Sequence, residues 1–275
     1  MAHQDGETGG VRHFLLKSEP DVFSFDDLLR RPLVERDITL TCVSNEVGGR
    51  LLGTARWLGV RLADVLDRAG VQGEATQVVG RSVDGYTCGF PVEAALDGRD
   101  ALVALGMNGV PLPREHGFPV RLVTPGLYGY VSATKWLTEL ELTTFDAFDH
   151  YWVGRGWAVQ APVKTQSRID VPASFARAAP GPVAIAGVAW AQTRGIDRVE
   201  VQVDDGPWRP ARLATALNDV TWRQWSLEWD ATPGTHQVRV RATDATGATQ
   251  PQERVAPIPD GATGWHTVVV RVDEA

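Results

Sequence analysis

The chain has 275 residues, more than one average domain of roughly 150, and its 43% hydrophobic, 22% charged composition with ten tryptophans is globular and excludes a disordered chain. A net charge of −7 with no block of Lys or Arg excludes an electrostatic binder of nucleic acid or of an anionic membrane surface. No run of about 18 apolar residues occurs, so no helix is expected to span a membrane.

Residues 1–11 read as a flexible polar tail without the apolar core of a secretory signal. HFLL (13–16) reads as a short strand, and Ser24 with Asp27 three residues later forms a capping-box start for a helix that Pro32 stops. ITLTCV (38–43) alternates as a strand ending at Cys42. The spacing of Leu62, Val65, Leu66 and Ala69 predicts a helix over 60–70 that packs on a sheet, with Gly70 as its C-terminal cap. TQVVGRSV (76–83) is a strand leading into the Asp84-Gly85 turn, and PVEAALDG (91–98) a short helix. ALVALGMNGVPLP (101–113) predicts a hairpin about Asn108-Gly109, since both turn positions need positive φ. Strands over 119–126 and 134–144 complete an α+β domain.

From Gln166 helical periodicity disappears. Strands are expected over 183–191, 197–204, 223–230, 235–245 and 265–272, with DDGPW, TPGT and ATGA as turns between them. Six of the ten tryptophans lie in this part. We read 166–275 as an all-β, immunoglobulin-like sandwich without a disulfide at its centre, and place chemistry in residues 12–165.

The two cysteines, Cys42 and Cys88, stand 46 residues apart with no C-x-x-C and no His at zinc spacing, so they cannot build a structural zinc site. A disulfide between them is not needed by a domain with its own core. Cys88 reads as a small buried residue, which leaves Cys42 as spacer, nucleophile or metal ligand. Dinucleotide, Walker, zinc-protease and nucleophile-elbow motifs are all missing. The segment NGVPLPREHGFPVRLVTPGLYGYVSATKW (108–136) instead gathers His116, Arg121 and Lys135 beside Gly117, Gly126 and Gly129. Taken singly, His116, Arg121 and Ser132 are ordinary surface or strand residues, and Lys135 beside Trp136 an ordinary solvated one. Together, an Arg fork, a Lys point charge and close-approaching backbone N–H groups suggest a buried phosphate-bearing ligand.

TLTCVSNEVGGRLLGTARWLGVRLADVLDRAGV, DGYTCGFPVEAAL, GMNGVPLPREHGFPVRLVTPGLYGYVSATKWLTELEL, YWVGRGWAVQAPVKTQSRID and GATGWHTVVVRV together resemble the sulfite oxidase family of molybdopterin enzymes. They are most similar to bacterial members whose molybdopterin domain precedes an immunoglobulin-like dimerisation domain. The resemblance covers residues 22–275, whereas VRHFLLKSEPDVFSFDDLLRRP resembles the opening of an EVE domain. It implies a molybdenum-molybdopterin cofactor with Cys42 as the protein ligand of the metal, a soft thiolate suited to that role. It implies that His116 and Arg121 contact the pterin and its phosphate, that Ser132, Ala133, Thr134 and Lys135 wrap the phosphate, and that Ser82 is a further contact. The implied chemistry is two-electron oxo transfer, sulfite oxidation or sulfoxide-type reduction, on a small oxo-anion or sulfoxide-like substrate. No haem domain is visible, so electrons would pass to or from a separate partner, and the sandwich would form a homodimer. Relatives are often membrane-anchored or extracytoplasmic. The active-site tyrosine of animal and plant sulfite oxidases has no unambiguous match; Tyr151 is merely nearby. Two rival readings are a cofactor-free remnant that still dimerises and a thiol enzyme using Cys42 as nucleophile.

Overall fold

The computed structural model describes residues 14–17, 25–71 and 73–274. Nine strands build the first half: β1 (Phe14–Lys17), β2 (Val34–Thr41), β3 (Leu52–Arg61), β4 (Gln77–Ser82), β5 (Thr87–Pro91), β6 (Leu102–Met107), β7 (Val110–Pro111), β8 (Arg121–Val123) and β9 (Leu137–Thr143). They form two sheets, one in the order β1-β9-β4-β5 and the other in the order β2-β3-β6-β7, with β8 also paired to β6. Four short helices decorate them: α1 (Phe25–Leu29), α2 (Leu62–Ala69), α3 (Glu93–Leu96) and α4 (Gly129–Ser132).

The local chemistry explains these elements. In α2 the spacing of Leu62, Val65 and Leu66 puts all three into the core, each worth roughly 1.5–3 kcal/mol of burial. The helix stops because Gly70 takes φ 77 and its N–H closes on the carbonyls of Leu66 and Asp67. The β6–β7 hairpin turns through Asn108 and Gly109 at φ 54 and 81, as the Asn-Gly pair predicts. The expected strand at 119–126 is formed only over Arg121–Val123, and the chain turns beyond its end at Gly126 with φ 85. The capping residue Ser24 lies outside the described residues. The ten-residue strand β3 was not expected, since Gly53, Gly59 and its arginines hide the alternation.

Nine further strands follow: β10 (Gln166–Val171), β11 (Ala176–Ala178), β12 (Gly181–Trp190), β13 (Ile196–Val203), β14 (Arg209–Pro210), β15 (Arg212–Leu213), β16 (Arg223–Ala231), β17 (Gly234–Asp244) and β18 (His266–Val272). They form a β10-β12-β16-β15 sheet and a β11-β18-β17-β13-β14 sheet. Alternate residues point inward: Val199 and Val201, Trp225 and Trp229, Val238 and Val240, and Val268 and Val270 share one core. This is the sandwich expected from the strand spacing.

The two halves meet along β2. One edge of this strand pairs with β3 from Val34↔Gly59 to Thr41↔Leu52. Its other edge is covered by the second half, where Thr39 N donates to the Val220 carbonyl at 3.1 Å. Cys42 follows β2 directly.

Candidate active site

A cavity of about 610 Å³ opens at the end of β2, within the range of pockets that enclose a cofactor-sized ligand. Its lining includes Cys42, Ser44, Leu51, Leu52, His116, Arg121, Tyr130, Ala133, Lys135, Trp152 and Trp157. Cys42 and Cys88 are both free thiols, Cys42 exposed and Cys88 buried. The Cys42 backbone is fixed on both sides, its N–H donating to the Leu51 carbonyl at 2.9 Å and its carbonyl accepting from Asn45 N at 3.1 Å. The thiol therefore stands on a closed loop that returns to β3.

Arg121 gives the cavity its electrostatic character. It sits on β8, is 6% exposed, and donates to three carbonyls: His116 at 3.1 Å, Leu122 at 3.3 Å and Ala133 at 3.4 Å. Its guanidinium carbon lies 5.0 Å from the Trp57 ring centre. Among the described residues no carboxylate is within ion-pair reach of it. Burial pushes its pKa down to about 10, the signature of a cation withdrawn from water without a counter-charge. An unpaired buried charge costs several kcal/mol, and the cation faces the cavity lined by Cys42.

His116 and Lys135 are brought to the same wall by a close backbone approach. A short 3₁₀ turn over Arg114–His116 ends at Gly117 with φ 103, and a Cβ at Gly117 would lie 2.9 Å from that of Lys135. Only glycine lets the two segments touch at this point. Lys135 Nζ donates to the Glu115 carbonyl at 2.9 Å and lies 4.5 Å above the Trp136 ring. Two cations, Arg121 and Lys135, and the His116 imidazole thus share one cavity with one thiol.

Of the remaining residues singled out from the sequence, Ser82, Ser132 and Thr134 do not line the cavity. Ser132 is fully buried and its hydroxyl donates to the Tyr128 carbonyl at 3.1 Å and the Leu127 carbonyl at 3.3 Å, which ties down α4. Thr134 Oγ1 donates to the Gly80 carbonyl at 3.4 Å, fastening the segment to β4. Ser82 is buried at the end of β4 and does not line the cavity. Only Ala133 and Lys135 of the 132–135 segment reach the lining.

The aromatic part of the lining was not read from the sequence. Tyr130, Trp152 and Trp157 form it, with ring centres 5.7 Å apart for Tyr130 and Trp157 and 6.5 Å for Trp152 and Trp157. Tyr130 donates its hydroxyl to the Ala158 carbonyl at 2.7 Å, and burial raises its pKa, so it stays neutral. Tyr151 stacks instead under Arg155, 3.6 Å from its guanidinium carbon, and is half exposed outside the lining. The available signal was the glycine-punctuated aromatic run YWVGRGW, in which alternate faces cannot be told apart without the fold.

The donor set fits a phosphate-bearing cofactor with a thiophilic metal. Among the described residues no cluster of three or more His, Cys, Asp or Glu is placed to hold a metal ion. The cavity lining contains one thiol, that of Cys42.

Residues 12–152 match the family described as oxidoreductase molybdopterin binding domain, and residues 158–273 the Mo-co oxidoreductase dimerisation domain. Mitochondrial sulfite oxidase of Homo sapiens is 32% identical over 301 aligned residues, which cover 90% of this chain and 55% of the human protein. The chain thus spans about half the length of such relatives. The uncharacterized oxidoreductase YuiH of Bacillus subtilis is 33% identical over 155 residues, covering 56% of this chain and 75% of YuiH. Among solved structures, the sulfane dehydrogenase SoxCD from Paracoccus pantotrophus superposes with a TM-score of 0.76 at 25% identity, covering 92% of this chain and 75% of that one.

Proposed function

The chain belongs to the family of molybdopterin-binding oxidoreductases of sulfite oxidase type, and from that premise we propose that it carries out two-electron oxo transfer with Cys42 as the protein ligand of molybdenum. The observation that carries the reading is the shared cavity: an exposed thiol faces the same space as Arg121, a buried cation without a carboxylate partner among the described residues.

Molybdenum-molybdopterin, when bound, supplies the oxygen-atom and electron chemistry. Cys42 would hold the metal through its thiolate, and the closed turn from Cys42 to Leu51 fixes the backbone that carries that sulfur. Arg121, His116 and Lys135 would hold the phosphate end, with Arg121 oriented in advance by its three carbonyl partners. Ser132 and Thr134 would act through the backbone of α4 and the 132–135 segment, which they anchor, and Ser82 would be a further support at the end of β4. Tyr130, Trp152 and Trp157 would close the substrate side and exclude water.

The substrate proposed is a small oxo-anion or a sulfoxide-like molecule. The sandwich would join two copies, in keeping with its match to a dimerisation domain, and electrons would pass to a separate partner. The test is metal analysis of the chain made in a host that synthesises the cofactor. Near-stoichiometric molybdenum, lost with oxo transfer in Cys42→Ser, supports the reading. A chain that emerges without molybdenum overturns it and leaves a cofactor-free, dimerising protein.

A further inference from the structure

The sandwich does more to the pocket than sit beside it. Besides the bond from Thr39 N to the Val220 carbonyl, the edge of β2 facing away from β3 receives four more from the second half. Gln192 Nε2 donates to the Thr39 carbonyl at 2.6 Å and to Thr41 Oγ1 at 3.3 Å. Asn218 Nδ2 donates to the Asp37 carbonyl at 2.9 Å, and Trp222 N to Thr39 Oγ1 at 2.9 Å. Gln192 is 1% exposed, so its amide donates out of a place where an unmet bond costs about 1–3 kcal/mol.

The loop on the other side of Cys42 is held by the same half. Arg168 Nη1 donates to the Gly49 carbonyl at 2.8 Å while its Nε is fixed by Asp170 at 2.6 Å. The imidazole of His266 packs on Gly48 so closely that a Cβ there would lie 2.3 Å from the ring. His266 is itself oriented by Ile169 N, which donates to its Nδ1 at 3.0 Å. Inside the loop, Asn45 Oδ1 accepts from Leu51 N at 2.8 Å and Gly49 N donates to the Glu46 carbonyl at 2.8 Å. Cys42 therefore stands between two anchors, Gln192 before it and Arg168 after it, and neither belongs to the half that forms the cavity.

We propose that the sandwich positions the Cys42 thiol, with Gln192 and Arg168 as its positioning residues. A module kept only for association has no need to send a buried amide and a fixed guanidinium to the backbone on either side of one cysteine. A ligand to a metal has that need, because a displacement of a fraction of an ångström loosens the bond it must make. The inference rests on Cys42 being the working thiol of the site, and it extends the role of the second half from assembly to the geometry of the reaction.

Backbone hydrogen exchange on the full chain, prepared without cofactor, tests it. Arg168→Ala and the near-isosteric Gln192→Met should each raise exchange at Asn45, Gly49 and Leu51 about tenfold, leaving the β17–β18 ladder unchanged. Arg168→Lys, which keeps a donor within reach of the Gly49 carbonyl, should restore much of the protection. If Arg168→Ala disturbs the whole sandwich, Gln192→Met decides. Unchanged exchange in the 42–51 loop, or an equal rise throughout the chain, overturns the proposal. Retained oxo transfer in Cys42→Ser would instead overturn the ligand assignment and leave the exchange result standing.

Discussion

Arg121 stacks its guanidinium on Trp57, 5.0 Å from the ring centre, with no carboxylate partner among the described residues. Trp57 is 3% exposed and donates its Nε1 to the Ile38 carbonyl at 3.3 Å, so β2 and β3 supply a fixed floor for the cation. The floor gives Arg121 cation–π attraction in exchange for hydration it has lost.

Arg121→Met should therefore separate folding from ligand binding. Removing an uncompensated buried charge relieves its desolvation, while the lost bonds to His116 and Ala133 act the other way. The cofactor-free chain should stay within about 1 kcal/mol of the parent in chemical denaturation. Cofactor retention should fall roughly tenfold to a hundredfold, since a charged hydrogen bond contributes about 1.5–3 kcal/mol. Arg121→Lys should recover only part of this because the fork is lost. A variant that unfolds, or that retains cofactor fully, contradicts the role given to Arg121.

Cys42→Ser should leave the thermal midpoint where it is, since the side chain is exposed and of nearly the same size. Oxo transfer should disappear, because an alcohol at neutral pH offers a metal no anionic sulfur. In the cofactor-free parent, iodoacetamide should label Cys42 and spare Cys88, which is fully buried with its thiol pKa raised by burial. Peptide mass spectrometry reads both positions at once.

What the sequence made legible was whatever is local. The Asn108-Gly109 turn, the Gly70 cap and the cluster of His116, Arg121 and Lys135 lie within single segments, and the structure brings the last three to one cavity. Gln192, Arg168 and His266 were invisible because each acts on backbone more than 100 residues away, Gln192 being separated from Thr39 by 153 positions. Nothing in a one-dimensional pattern marks a glutamine as a strand-edge partner. The aromatic wall was missed for a similar reason: Trp152 and Trp157 look like turn residues until Tyr130 of α4 is placed against them.

Asp244 should be a keystone of the second half. Its side chain is 1% exposed, and although burial alone would raise its pKa, bonds from Thr246, Arg194 and Thr165 hold it well below the usual carboxylate range. Thr165 Oγ1 and Arg194 Nε donate to the same oxygen at 2.8 and 2.9 Å. Asp244→Ala strands a part-buried arginine and should destabilise the chain by about 3–5 kcal/mol. Because the folded pKa is depressed, the contribution is full above the unfolded value of 3.8 and fades as pH falls below it. Denaturation midpoints from pH 6 downward should show a steeper acid loss in the parent than in Asp244→Asn.

His266 gives a second acid-sensitive point, at higher pH. Burial, with Arg168 and Arg254 nearby opposing and Asp170 favouring the charge, lowers its pKa from 6.5 to about 4. The folded chain thus binds fewer protons than the unfolded one across that interval, so stability is complete above 6.5 and declines as pH falls toward 4. Protonation would also put a proton on Nδ1, which now accepts from Ile169 N. His266→Gln, which keeps an acceptor but cannot titrate, should flatten the pH dependence of the thermal midpoint between those values.

Gly48 should tolerate no side chain while His266 is present. Its φ of 79 is strained for any other residue, and a Cβ would meet both Cδ2 and Nε2 of the imidazole at 2.3 Å. Gly48→Ala should cost roughly 1–3 kcal/mol from backbone strain, with the steric clash in addition. The two causes are separable, because in a His266→Ala background the clash disappears and the φ strain stays. A double-mutant cycle should therefore show the Gly48→Ala cost reduced but not abolished in that background. Full additivity would mean that the ring and the loop are not in contact, and would remove one of the anchors that hold the backbone beside Cys42.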